Sequence, residues 1–389
     1  MTVPQPPSSS FSSLPDEITE NILARVSRWN YPWLSLVSKR FRSLLSSKEL
    51  YKTRSQIGAN EIYIYVDQFS NDKFDPRWFS LWPNRDQTKR GRKIKFKQNS
   101  SGNLVVPIPC SCSSSSSSSF HSPHIQRDSM VAVGSEIYLI GGSYNRQPTS
   151  SIRIFDCRSH TWRDAPNMTV PRRDAAAVFL DEKIYVIGGG CDKNSANGFE
   201  VFDIKTQSWT ALRIPDDEVR NELYVYSRAI VVQGKLYVMA GTRDYTYEPK
   251  EAKWEVAREE SSIDSVDDSW CVIENVMYCV DNQGYCRWYD SEDRVWKVIK
   301  GLEQLREHRT RGLRACSSET EIANYGGKLL VIWHPNHAWF KKIKIWYAKI
   351  SLETRCNGRE VWGEVEWVDA LLTIPRNNYG FLRCFTVSV

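Results

Sequence analysis

One line of sequence recurs in this chain. Residues 130–142 read MVAVGSEIYLIGG, and residues 177–189 repeat the pattern as AVFLDEKIYVIGG. A third copy, AIVVQGKLYVMAG, occupies residues 229–241. A fourth, CVIENVMYCVDNQG from Cys271, has lost the double glycine, and a fifth, EIANYGGKLLVIW from Glu321, is weaker. Each copy is two short apolar runs around a polar or glycine-bearing turn, the sequence form of a β-hairpin. Such a unit cannot bury its own apolar face and must stack against the next copy.

A second feature lies downstream of the glycines. Asp156, Asp203, Glu248 and Asp290 stand six residues before Trp162, Trp209, Trp254 and Trp296. The stretch from the last glycine to the acid is 14 residues in the first two copies and 7 in the third, so a loop varies while the acid-to-tryptophan piece holds its length. Successive tryptophans are 42 to 47 residues apart. Four strands per unit at that period match the blade of a β-propeller. The glycines suit a sharp turn after the second strand, and the tryptophan offers a large apolar surface to a neighbouring blade. The GG, tyrosine and tryptophan signals resemble those of kelch-repeat propellers.

The two ends of the repeat region complement each other. EIYIYVDQFSNDKFDPRWFSLWP, residues 61–83, resembles the second and third strands of a blade that lacks its innermost strand, while YGFLRCFTV, residues 379–387, is a lone apolar strand. The expectation is a six-bladed all-β propeller over residues 59–389, its ring latched by the C-terminal strand. Trp362 is expected on or near the outer strand of the last blade. A serine-rich insert, 111–119, reads as a flexible loop within or just after the first blade.

Residues 12–52 read as a small all-α unit, after a disordered 1–11 and before a linker at 53–58. Leu14, Ile18, Ile22 and Val26 recur every four residues with Leu23 beside them, and Pro15, Asp16 and Glu17 suit a helix start. After a break at Asn30-Tyr31-Pro32, the residues Leu34, Val37, Phe41 and Leu44 predict a second amphipathic helix. So small a unit cannot bury all its apolar residues, and some of that surface needs a partner. Leu14-Pro15, the apolar helix and Val37-Ser38-Lys39-Arg40-Phe41 resemble the F-box, with serine and phenylalanine as mild departures from its usual V-C-K-x-W/F stretch. F-box and propeller together resemble the plant-type F-box/kelch-repeat proteins.

That resemblance implies a non-catalytic substrate-recognition subunit of an SCF-type ubiquitin ligase. A Skp-type adaptor, and through it cullin and RING subunits, would dock on Leu14, Pro15, Ile18, Ile22, Leu23, Val26, Leu34 and Val37; for any one of these the alternative is internal helix packing. The propeller would hold the target protein. Arg127, Arg173 and Arg228 stand just before innermost strands, and Arg376 before the closing strand. They would converge at the mouth of the central channel as a basic ring suited to an acidic target or an anionic ligand, or else bond to neighbouring backbone or carboxylates.

Other classes fit less well. Hydrophobic residues make up 41% and charged residues 25%, and no stretch approaches the roughly 18 apolar residues of a membrane span. The N-terminal residues lack the pattern of a signal peptide, so a cytoplasmic or nuclear location is expected. The ten cysteines include no CxxC pair and read as free thiols. His334 and His337 form an HxxH without a third ligand in sight, so no metal or cofactor is expected. KRGRKIKFK, residues 89–97, is a basic loop with a weak nucleic-acid reading. The rivals are a kelch scaffold without a ubiquitin role and a propeller enzyme; the F-box has no use in either.

Overall fold

The computed structural model describes residues 11–66, 69–70, 73–74, 77–82, 104–108, 124–144, 146–190, 198–225, 227–259, 269–281, 283–310, 320–334, 342–375 and 382–388. The serine-rich insert, the basic stretch 89–97, His337 and Arg376 lie outside these residues.

Six four-stranded antiparallel sheets form the propeller. Blade 2 runs Met130–Val133, Glu136–Ile140, Ile152–Asp156 and Thr161–Ala165 from the inside outward. Blade 3 (Ala176–Leu180 to Ser208–Ala211), blade 4 (Arg228–Val232 to Lys253–Arg258) and blade 5 (Trp270–Ile273 to Val295–Val298) repeat that order. Blade 6 begins at Thr320–Tyr325 and ends in a long hairpin, Lys342–Arg355 with Glu360–Pro375, whose last strand carries Trp362.

Blade 1 is made from both ends of the chain. Leu382–Ser388 is its innermost strand and pairs over seven residues with Asn60–Val66, from Asn60↔Ser388 to Val66↔Leu382. Each innermost strand adjoins the next, and Thr320–Tyr325 meets Leu382–Ser388 to close the ring. The predicted latch is present. The apolar clusters lie between blades: Tyr63, Trp78 and Phe155 between blades 1 and 2, for example, and Ile154, Ile184 and Phe202 between blades 2 and 3.

The constant six-residue interval has a local cause. The acid accepts hydrogen bonds from backbone N–H groups of the turn it opens: Asp203 from Lys205 and Thr206, Asp290 from Glu292 and Asp293. Four residues after each acid the backbone is left-handed, at His160, Gln207, Ala252 and Arg294, with φ from 51° to 57°. The tryptophan then pairs with the residue before the acid, as in Phe202↔Trp209 and Tyr247↔Trp254. In blades 3 and 4 its indole reaches the chain just leaving the preceding blade: Trp209 Nε1 donates to the Pro166 carbonyl at 2.9 Å and Trp254 Nε1 to that of Arg213 at 3.2 Å.

The double glycine answers to packing as well as to turning. Gly141 and Gly189 have φ of +67° and +68°, and a Cβ on either would lie 2.4 Å from backbone of the crossover entering blade 3, at the Arg172 oxygen or the Ala175 nitrogen. Blade 5 replaces this arrangement with Asp281, whose carboxylate accepts from the Gln283 and Tyr285 amides at 2.9 and 2.8 Å.

The N-terminal unit is helical: α1 Asp16–Arg25, α2 Tyr31–Leu34, α3 Lys39–Leu45 and α4 Lys48–Gln56. The expected second helix is two helices, because Ser38 caps α3 by accepting from the Phe41 amide at 3.1 Å and so starts a new turn. Helix α4 fills most of the stretch read as a linker. After it, Gly58 turns at φ +68° and the first propeller strand begins at Asn60.

Candidate functional site

Leu23, Ala24, Tyr31, Leu44, Leu45 and Leu50 form the helical core. Arg40 fastens α3 to the start of α1 through Asp16 at 2.8 Å, and Ser47 both caps α4 and donates to Glu20 at 2.8 Å. With the core thus filled, other apolar residues face outward: Ile18 is 50% exposed, Trp33 67%, Leu36 70% and Val37 65%. Phe11 and Ile22 are exposed too, and a groove of about 400 Å³ runs between them, Val26, Trp33, Leu34 and Phe41. Contiguous exposed apolar surface of this kind marks a docking site.

Of the residues expected to meet an adaptor, Pro15, Ile18, Ile22 and Val37 are exposed, and Leu14, Val26 and Leu34 are half-buried. Leu23 is 2% exposed and belongs to the helical core. Phe11, Trp33 and Leu36 were missed. For Trp33 and Leu36 the signal is in YPWLSLV: a four-residue helix and one turn carry more apolar bulk than so short a segment can bury.

The channel mouth departs from expectation. Arg127 is buried and ion-paired with Glu321, which also accepts from Ser269 Oγ at 3.0 Å. Burial raises the Glu321 pKa, which the Arg127 and Arg383 charges oppose. Arg228 is buried with its Nε 3.8 Å from Asp128. Only the second of the two alternatives fits these two residues, since their charge is met by carboxylates within the ring. Arg173 is exposed and pairs with Asp174 at 3.0 Å. The expected open basic ring is therefore, among the described residues, a belt of paired charges. His334 is buried, and no group of three or more His, Cys, Asp or Glu among the described residues is placed to hold a metal ion.

The junction joins helices to ring. Arg28, from the 3-10 turn after α1, donates to Glu61 at 2.9 Å and to the Cys157 carbonyl at 3.3 Å; Arg54 of α4 donates to the other Glu61 oxygen at 3.0 Å. Tyr63 Oη donates to the Cys157 carbonyl at 2.6 Å, and His160 Nε2 lies 3.4 Å from that hydroxyl. Glu61 and the Cys157–His160 turn sit on the face where first and second strands are joined. Arg127 and Arg228, at the starts of innermost strands, mark the opposite face.

Burial, reinforced by the Arg28 charge, pushes the His160 pKa down to about 4. Unfolding restores a value near 6.5, so the unfolded chain takes up the proton first. Stability is then complete above about pH 6.5 and falls as pH drops toward 4, by up to about 3 kcal/mol. His160→Asn accepts the same left-handed backbone and should remove this component. Urea unfolding of both proteins at pH 7 and pH 5 checks it: equal losses in both would assign the pH dependence elsewhere.

Comparison with known proteins follows the same division. An F-box domain model matches residues 11–53, and the FKB95, Kelch-repeats domain model matches residues 78–372. An F-box/kelch-repeat protein of Arabidopsis thaliana is 46% identical, covering 99% of this chain and 94% of the relative. A second from the same plant is 42% identical over the same shares, and a third is 40% identical over 98% and 94%.

Proposed function

The chain belongs to the F-box/kelch-repeat family, and on that premise we propose that it is the substrate-recognition subunit of an SCF-type ubiquitin ligase. A Skp-type adaptor occupies the helical groove and links the chain to cullin and RING subunits. The propeller holds a target protein, and the transfer chemistry belongs to the other subunits. The chain acts by raising the local concentration of the target beside the ubiquitin donor.

The observation that carries this reading is the open apolar groove on a helical unit whose own core is already filled. Trp33 and Ile22 sit at its rim, and large apolar or aromatic side chains in such positions carry most of an interface's energy. The target site lies on the loops of the face opposite the helices, where the two partners would not collide. The working location follows the adaptor, in cytoplasm or nucleus.

Binding of the purified chain to a Skp-type adaptor, measured by calorimetry, tests the proposal. The wild type should bind, and Ile22→Asp with Trp33→Ala should weaken binding at least about 100-fold, two hot-spot losses, while the thermal unfolding transition of the propeller is unchanged. A wild type that binds no adaptor overturns the ligase reading and leaves the scaffold reading in its place.

A further inference from the structure

The contact between helices and ring holds more charge than packing requires. Arg28, Arg54 and Glu61 are 6%, 3% and 4% exposed. Each oxygen of the Glu61 carboxylate is held by a different guanidinium, Oε2 by Arg28 at 2.9 Å and Oε1 by Arg54 at 3.0 Å. Arg28 extends to the Cys157 carbonyl in blade 2. Arg54 reaches back to the carbonyls of Ala24 and Val26, both at 3.0 Å, at the end of α1. One carboxylate thus ties together the turn after α1, helix α4 and the seam between blades 1 and 2.

Apolar surfaces can slide against each other at little cost. A carboxylate gripped on both oxygens by planar guanidinium groups fixes direction as well as distance. Removing three charges from water is costly, and such groups are best explained where they define a unique arrangement. The connection supports the same conclusion, since only residues 57–59 separate α4 from the first strand and the Ala59 amide still donates to the Arg54 carbonyl at 2.9 Å.

We propose that Glu61, held between Arg28 and Arg54, is the positioning residue that fixes the angle between the F-box groove and the propeller. It thereby sets the reach from a docked adaptor to a target on the opposite face. The purpose of the clamp rests on the ligase reading; its geometry does not.

The test is a distance distribution by pulsed electron resonance on the full chain. Spin labels are carried on non-canonical residues at the exposed positions Arg42 in α3 and Lys205 in blade 3, leaving the native cysteines untouched. The wild type should give one narrow distribution. Glu61→Gln and Arg54→Gln should each broaden it at least twofold, with adaptor affinity within threefold of wild type. A wild-type distribution as broad as the variants', or variants as narrow as wild type, overturns the proposal. Should Glu61→Gln unfold the ring, Arg54→Gln, which leaves every ring residue in place, decides. Adaptor binding is read on the same samples: its absence in the wild type removes the ligase reading, while the widths still decide the clamp.

Discussion

Arg172→Met is expected to destabilise the protein by about 3–5 kcal/mol, the cost of leaving one partner of a buried ion pair uncompensated. Arg172 and Glu200 are both fully buried. The guanidinium donates to Glu200 at 3.0 Å and to the Gly198 carbonyl at 3.2 Å, and Glu200 accepts from the Thr169 amide and hydroxyl at 3.1 and 2.7 Å. The Arg172 backbone meanwhile accepts from Gly142 in blade 2 and donates to Thr149. The side chain organises blade 3 while its main chain holds blade 2. Arg172→Met leaves the Glu200 charge in place with half its partners. Arg172→Met with Glu200→Met should recover part of the loss, because no buried charge is then left uncompensated, while Thr169 and the Gly198 carbonyl still lose their partners. Thermal unfolding of the single and double variants measures this, with the single variant lower by roughly 5–10 °C. A single variant within about 1 kcal/mol of wild type would show that the pair is not what joins these blades.

Deletion of residues 382–389 is expected to abolish folding of the ring. The strand supplies seven residue pairs to blade 1 and buries Cys384, Phe385 and Val387, with Phe385 stacked on Trp78 at 5.9 Å. Three such side chains are worth roughly 5–8 kcal/mol, comparable to the whole stability of a typical domain, about 5–15 kcal/mol. Removal also leaves the inner side of Asn60–Val66 as an unpaired edge that can pair with another chain. The truncated chain should elute as aggregate on size exclusion. A permuted chain carrying residues 380–389 ahead of residue 59 should elute as monomer. A truncated chain that remains monomeric with a wild-type melting temperature would mean that the latch contributes little.

The fold is legible in the sequence where the repeat is regular. Hairpins, outer tryptophans and the missing strand of blade 1 all follow from spacing, because the propeller imposes the same register on each blade. Partners distant along the chain left no such trace. Arg127 was placed at the channel, but its carboxylate comes from Glu321, in blade 6. Arg28 gave no signal at all, since its partner depends on how α4 delivers the chain into blade 1. In the helices, periodicity located α1 and the floor of the groove. It missed Trp33 and Leu36 because they lie in a short helix and a turn, where no 3.6-residue pattern can develop. Helix α4 escaped for the opposite reason: KELYKTRSQ is mostly polar and buries only Leu50 and Arg54.

The shared sheet of blade 1 also has a consequence in time. On a ribosome the strand Asn60–Val66 emerges early, and its inner neighbour Leu382–Ser388 follows after every other strand of the ring. At about 5–20 residues per second, the first strand waits roughly 15–60 s with its inner side unpaired. The F-box helices are complete throughout that interval, but the carboxylate that anchors them sits on a strand still lacking one of its two neighbours. Chaperone occupancy during synthesis should therefore be highest on this first strand and should end abruptly when the last one arrives.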